Sequence, residues 1–240
     1  MIDTAMILAA GRGKRMHPLT DSVPKPLIAV AGRSLLERSL KRLVAHGVSN
    51  IVVNVHHLGQ QIADHLNGRA RIVYEECLLE TGGSVKNALP LLGDGPFFVL
   101  NGDGLWRDGP TPMLQRLQDR WDAARMDALL LLHPIHKVVG REQTDRGDYF
   151  VEPGGQIRHR GTAQLTPYLF ASVSVCDVRL FQVSPEGPTS KRLNGSLQIR
   201  SSSAPLSMPM NFCSRSGTGL PASVSSSACS AARRWRDFGE

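Results

Sequence analysis

Thr4-Ala5-Met6-Ile7-Leu8-Ala9-Ala10-Gly11-Arg12-Gly13-Lys14-Arg15-Met16 is the stretch on which the reading of the chain turns. Residues 4–8 form a short, almost wholly apolar run, and a run without polar alternation suits a strand covered on both faces. It ends in Ala-Ala-Gly, so the strand feeds a glycine-bearing turn. Gly11 and Gly13 let main-chain N–H groups approach a polyphosphate closely, and Arg15 adds a fork able to hold two phosphate oxygens. The spacing is not the dinucleotide fingerprint G-x-G-x-x-G, because Met16 stands at the third glycine position. It is not a P-loop ending in Gly-Lys-Ser/Thr either.

Outward from this loop the pattern alternates. Ser34-Leu35-Leu36-Glu37 has the form of a capping box, Leu36, Leu40, Leu43 and Val44 recur at helical spacing, and Gly47 supplies a stop. Strands are expected over 50–55, 70–74, 97–100 and 128–132. Helices are expected over 60–66 and over 83–92, the latter with Val85, Ala88, Leu89 and Leu92 on one face. A further helix begins at Thr111-Pro112, read as N-cap and first helical position, and runs through Trp121. Repeated βαβ units predict a Rossmann-like α/β fold with a mostly parallel sheet flanked by helices. Residues 148–161, with Gly154-Gly155, read as a hairpin and 168–175 as one more strand. From Pro185 onward no helical or strand period is legible, which predicts an irregular C-terminal tail.

Composition agrees with a globular core. The 240 residues are 41% hydrophobic and 20% charged, which excludes wholesale disorder, a collagen-like chain and a coiled coil. No apolar run approaches a membrane span, and Met1-Ile2-Asp3 is acidic where a secretory signal is basic, so a cytoplasmic protein with no membrane partner is expected. Cys77, Cys176, Cys213 and Cys229 lack Cys-x-x-Cys spacing and read as reduced thiols, without a zinc site or disulfide framework. The net charge of +7 suggests nucleic acid until it is located. Residues 187–240 hold 7 of the 28 Lys and Arg but 2 of the 21 Asp and Glu, leaving residues 1–186 near neutral. The tail's cations are interleaved with Ser rather than with stacking aromatics, so no nucleic-acid partner is expected.

Pro24-Lys25-Pro26 fixes an extended segment and presents one ammonium at a set place. Together with Leu8-Ala9-Ala10-Gly11 through Thr20, Asn54-Val55-His56-His57-Leu58, Glu80-Thr81-Gly82-Gly83 and Asn101-Gly102-Asp103, it makes the sequence resemble the sugar-1-phosphate nucleotidyltransferases. The likeness spans about residues 4–183 and is greatest to the branch with N-acetylmuramate-1-phosphate uridylyltransferases and mannose-1-phosphate guanylyltransferase-like proteins. It implies a domain over 1–186 in which Ala9, Ala10, Gly11, Gly13 and Arg15 bind the nucleotide and its phosphates, and Lys25 holds the phosphate at the reacting centre. Thr81, Gly82 and Gly83 would read base or sugar, and Asp103 would ligate Mg2+. Arg15, Lys25 and Asp103 are thus the implied catalytic set. The substrates implied are an NTP, UTP first, and a sugar 1-phosphate, N-acetylmuramate 1-phosphate first, giving an NDP-sugar for cell-wall synthesis. Guanylyl transfer to mannose 1-phosphate is the second reading.

Single features also admit plainer readings. Gly102-Asp103-Gly104 alone reads as a turn and becomes a metal site only beside the glycine loop. His56 and His57 are neighbours at a strand end and point to opposite faces, so hydrogen bonding or substrate contact is expected of them rather than a shared metal. Asp148 and Glu152 in the hairpin are sugar contacts or turn charges. Two segments depart from the family pattern. Phe170-Ala171-Ser172 carries Ser where the family has glycine. Residues 187–240 are Ser-rich and free of acids up to Asp237, whose setting Trp235-Arg236-Asp237-Phe238-Gly239 fits a second magnesium carboxylate. A flexible basic tail, a divergent lid and a translated reading-frame change all explain that segment, the last best. A damaged end would leave a non-catalytic nucleotide- or sugar-binding protein.

Overall fold

The structure, a computed structural model, describes residues 1–138, 145–153, 155–182 and 210–213. In chain order the elements are β1 (Thr4–Leu8), 3-10 turns at Lys14–Met16 and Lys25–Leu27, a small ribbon of β2 (Ala29–Val30) and β3 (Arg33–Ser34), α1 (Leu35–His46), β4 (Asn50–Val55), α2 (Gly59–Leu66) and β5 (Arg71–Tyr74). There follow α3 (Thr81–Leu92), β6 (Phe97–Asn101), α4 (Met113–Arg120), β7 (Ala128–Pro134), a 3-10 turn at Ile135–Lys137, β8 (Tyr149–Val151), β9 (Ile157–His159), β10 (Tyr168–Cys176), α5 (Arg179–Gln182) and β11 (Met210–Cys213).

The main sheet runs β11-β7-β10-β6-β1-β4-β5, with the β8–β9 hairpin attached to β10. β1 pairs in parallel with both β4 and β6, and β4 in parallel with β5. β10 is antiparallel to β6 and to β7, so β7 shares the direction of the parallel set and the sheet is mixed but mostly parallel. Every central strand is buried on both faces. Ala5, Ile7, Ile51, Val53, Phe98 and Leu100 pack under α1, α2 and α4, while Met6, Val52, Phe97 and Val99 pack under α3 and α5. Double coverage explains why these strands read as unbroken apolar runs.

The helix α1 shows how local chemistry sets the boundaries. Ser34 Oγ accepts from Glu37 N–H at 3.1 Å, and Gly47 closes the helix at φ 93°. The reciprocal half of the box is not made, because the Glu37 carboxylate turns to Arg69 Nη1 at 3.0 Å and His65 Nε2 at 3.3 Å. Leu36, Leu40 and Leu43 are buried, but Val44 is 63% exposed. At 100° per residue it lies roughly 80° round from Leu36, off the edge of the covered stripe.

Four further differences have physical reasons. The helix α3 starts two residues earlier than expected, so Thr81 and Gly82 are its first turn. Thr111 is not the cap of α4. Pro112 is extended at ψ 142°, helix begins at Met113, and the Met113 N–H is taken by Asp108 Oδ1 at 2.9 Å. Lys25 opens a 3-10 turn rather than an extended segment. Finally, β11 falls within the segment expected to lack strands, and pairs antiparallel with β7 on the side away from β10. A four-residue strand is too short for a period to show, and its neighbour's free ladder supplies the partner. The rest of 187–240, and Gly154, lie outside the described residues.

Candidate active site

Because β4 stands on one side of β1 and β6 on the other, the segments leaving β1 and β6 part at the sheet's carboxyl edge. In open α/β sheets this is where the ligand crevice forms. A cleft of about 460 Å³ opens there, walled by residues 8–15, Lys25 and Pro26, Asn54, residues 78–81, Ser84 and residues 101–103.

The glycine loop is held from below. Gly13 sits at φ 62°, where an L side chain is strained, and a Cβ there would lie 2.8 Å from Thr20 Cγ2. Its carbonyl accepts from Met16 N–H at 2.8 Å and from Thr20 Oγ1 at 3.1 Å. Met16, the residue that breaks the dinucleotide fingerprint, is buried and anchors the turn in the core. His57 Nε2 meets the Thr20 carbonyl at 3.1 Å, and His56 Nδ1 the Glu75 carbonyl at 2.9 Å, so both histidines brace loops. Gly11 differs from Gly13, since a Cβ there meets nothing within 4 Å among the described residues.

Within the cleft wall, the Gly102 N–H donates to the Leu8 carbonyl at 2.8 Å, locking the loop after β6 onto β1. A Cβ on Gly102 would sit 2.7 Å from that same oxygen, so close approach demands glycine here. Asp103 is thereby fixed at the cleft, where its carboxylate pairs with the Lys25 ammonium. Their side chains are 26% and 15% exposed, so Lys25 is more enclosed than a solvated loop lysine. Arg12, Lys14, Arg15 and Lys25 face the cleft against Glu80 and Asp103, an excess of positive charge. The N-terminal turn of α3 adds N–H groups with no side-chain cap, and the helix dipole favours an anion there.

Behind the cleft lies a group that sequence reading missed. Asn54 Oδ1 accepts from Ala9 N–H at 2.8 Å, and its Nδ2 donates to Glu75 Oε1 at 2.8 Å. Glu75 is buried, and its Oε2 accepts from Leu79 N–H at 3.1 Å. One polar residue inside Ile51-Val52-Val53-Asn54-Val55 was the available signal, since a strand covered on both faces admits an amide only with partners.

Of the residues singled out from sequence, Ala9, Ala10, Gly11, Gly13, Arg15, Lys25, Thr81 and Asp103 all line this cleft. Gly82 and Gly83 share the first turn of α3 but do not reach its wall. Asp148 and Glu152 stand on the β8–β9 hairpin, away from it. Asp148 Oδ2 accepts from Phe170 N–H at 2.9 Å, and burial raises its carboxyl above the usual carboxylate range. Glu152 accepts from Arg158 Nε at 3.1 Å. Asp237 lies outside the described residues. Among the described residues Cys77 and Cys176 are free, and burial pushes the Cys176 thiol up to about 12. Among the described residues no three His, Cys, Asp or Glu gather as a metal cage. The donor set of the cleft suits magnesium, which takes one or two carboxylates and fills its remaining positions with phosphate oxygens and water.

The model of the nucleotidyl transferase family matches residues 4–137. The N-acetylmuramate alpha-1-phosphate uridylyltransferase of Caulobacter vibrioides is 38% identical over 195 residues, covering 78% of this chain and 80% of that protein. The protein of the same name from Neisseria meningitidis serogroup B is 53% identical over 161 residues, 64% of this chain and 67% of its own. Among solved structures, a UDP-glucose pyrophosphorylase complexed with UDP-glucose superposes with a TM-score of 0.61 at 15% identity, over 76% of this chain and 78% of that one. The inositol-1-phosphate CTP transferase from T. maritima does so with a TM-score of 0.61 at 20% identity, over 76% and 73%. These two share the fold. The matched segment runs from β1 to the turn after β7 and so contains the glycine loop, Lys25, Asn54, the start of α3 and Asp103: the chain belongs to the nucleotidyl transferase family.

Proposed function

We propose that the protein transfers the uridylyl group of UTP to N-acetylmuramate α-1-phosphate, forming UDP-N-acetylmuramate and pyrophosphate. The observation that carries this reading is the identity of 38% and 53% to two proteins of that named activity, across two thirds or more of each. The cleft supports it chemically. A sugar phosphate is largely ionised near neutral pH, with a second pKa of about 6, and needs no general base to attack the α-phosphorus. What remains for the chain is to neutralise charge and hold the reactants in line.

In this reading the N–H groups of residues 9–13 cradle the triphosphate and Arg15 takes its outer oxygens. Lys25 holds the phosphate at the reacting centre, where charge shifts as the bond to pyrophosphate breaks. Thr81, which lines the cleft at the α3 terminus, contacts base or sugar, while Gly82 and Gly83 complete the same helical turn without lining the cleft. Asp148 and Glu152 are engaged with Phe170 and Arg158, so contact with the sugar would exchange those bonds. A magnesium ion, when bound, supplies further neutralisation of phosphate charge. Asp103 would hold it, with Asp237 as the second carboxylate. Use of UTP favours a cytoplasmic setting, and the product is suited to cell-wall synthesis. No helix among the described residues is long and apolar enough to cross a membrane.

The test is pyrophosphate release with magnesium, each of the four NTPs in turn, and N-acetylmuramate 1-phosphate or mannose 1-phosphate. UDP-N-acetylmuramate as the main product is expected. Guanylyl transfer to mannose 1-phosphate would replace this reading with the second one. Calorimetric NTP binding without turnover would make the protein a non-catalytic binder.

A further inference from the structure

Two loops face each other across the cleft, residues 9–13 leaving β1 and residues 75–81 leaving β5 and entering α3. A single chain of hydrogen bonds joins them from behind. It runs from Ala9 N–H to Asn54 Oδ1, from Asn54 Nδ2 to Glu75 Oε1, and from Leu79 N–H to Glu75 Oε2, at 2.8, 2.8 and 3.1 Å. Both ends are main-chain donors, whose polarity no side-chain rotation reverses. An amide between them accepts on one side and donates on the other, so it passes the direction along. The remaining member must then accept from both sides, which an ionised carboxylate does and an amide does not. Glu75 is also held by its own backbone. It is 6% exposed, its N–H donates to the Val55 carbonyl at 2.9 Å, and its carbonyl meets His56 Nδ1 at 2.9 Å. Ala9, Asn54 and Leu79 line the cleft, whereas Glu75 lies behind them.

We propose that Glu75 is a positioning residue that sets the separation of the two loops around the nucleoside triphosphate and thereby the affinity for it. The inference rests on reading the cleft as a UTP site. A carboxylate spanning both loops makes their spacing depend on hydrogen-bond direction, and that gives a test with a predicted rescue.

In Glu75→Gln the new NH2 opposes either Asn54 Nδ2 or Leu79 N–H, and flipping Asn54 only transfers the donor-donor clash to Ala9. In Asn54→Asp two acceptors oppose each other. The double variant Asn54→Asp/Glu75→Gln restores every polarity with nearly unchanged volume. The carboxylate at 54 accepts from Ala9 N–H and from the amide at 75, whose oxygen accepts from Leu79 N–H.

Three measurements decide it: calorimetric Kd for UTP, KM against kcat, and amide exchange at Ala9 and Leu79 in the ligand-free protein. Each single variant is expected to raise Kd and KM for UTP about tenfold or more, consistent with loss of a charge-assisted bond. The double variant should return to within about threefold of wild type, with kcat little changed throughout. Exchange at both amides should quicken in the singles and slow again in the double. Wild-type UTP affinity in Glu75→Gln, or a double variant no better than the worse single, overturns the proposal. Should Glu75→Gln fail to fold, the double variant decides by itself. If the wild type binds no UTP, the proposed function fails, while unchanged exchange at Ala9 and Leu79 in Glu75→Gln would separately overturn the relay.

Discussion

Lys25 and Asp103, 78 residues apart in sequence, form an ion pair between the turn that follows the glycine loop and the end of β6. Each is the other's counter-ion while the cleft holds no phosphate. In the proposed reaction a triphosphate would supply a stronger anion for the ammonium and leave the carboxylate for a cation, so ligand entry would exchange partners rather than uncover bare charges.

Removal of either partner should therefore affect turnover far more than folding. Lys25→Ala and Asp103→Asn are each expected to lower kcat by roughly a hundredfold or more. The pair is partly exposed, so the melting temperature should move by less than about 4 °C. Steady-state kinetics beside thermal denaturation checks this, and wild-type turnover in either variant would remove that residue from its proposed role.

The two glycines of the loop should separate stability from binding. Gly13→Ala forces a side chain into a left-handed conformation and against Thr20, for an expected loss of about 1–2 kcal/mol. Gly11→Ala meets nothing within 4 Å among the described residues, so stability should hold while UTP binding weakens as the methyl intrudes on the cleft. Denaturant titration and calorimetry on both variants distinguish the two. Equal UTP affinity in Gly11→Ala would show that the triphosphate does not pass close to that residue.

Ser172 occupies φ 65° at the irregularity in β10 between Phe170 and Ser174. Its hydroxyl stands 3.5 Å from Asn101 Nδ2, at the limit of a hydrogen bond, so little holds it there beyond the strands themselves. Ser172→Gly should stabilise the protein by about 0.5–1 kcal/mol, the relief of left-handed strain outweighing the added freedom of the unfolded chain. A fall in denaturation midpoint would contradict this account.

Acid should loosen the β8–β9 hairpin through His159. Gly161 N–H donates to His159 Nδ1 at 3.1 Å, which requires that nitrogen to be unprotonated, and burial lowers the ring's pKa below its ordinary value. A lowered folded pKa gives stability that is present above about 6.5 and lost as pH falls through the folded value. Burial raises Asp148 instead, so its contribution has the opposite sign: present below the ordinary carboxylate pKa and lost as pH rises through the raised one. Thermal melts from pH 7.5 to 5 should show wild type losing more stability than His159→Gln. Parallel curves would rule the histidine out.

The sequence disclosed what is local. The run into Ala9-Ala10-Gly11, the cap at Ser34 and the stop at Gly47 are each decided within a few residues, and each is where it was expected. It disclosed less of what depends on neighbours in space. Val44 obeys the helical period, but whether the edge of a stripe is covered depends on how wide the facing elements are. Glu75-Glu76 after an edge strand looks like solvated charge, and only the amide of Asn54, 21 residues earlier, brings one of the two carboxylates inside. The Lys25 partner and the buried hydrogen bond of Asp148 are likewise tertiary facts.

The position of β10 between β6 and β7 bears on synthesis. A nascent chain that has emerged only through β7 already contains β1, β4, β5 and β6, which pair side by side. The edges of β6 and β7 that will face β10 have no partner until residue 176 is available. During that interval two apolar strand edges stand open, the arrangement most prone to pairing with another chain. Translation that stalls before β10 would therefore leave an aggregation-prone fragment rather than a smaller working enzyme.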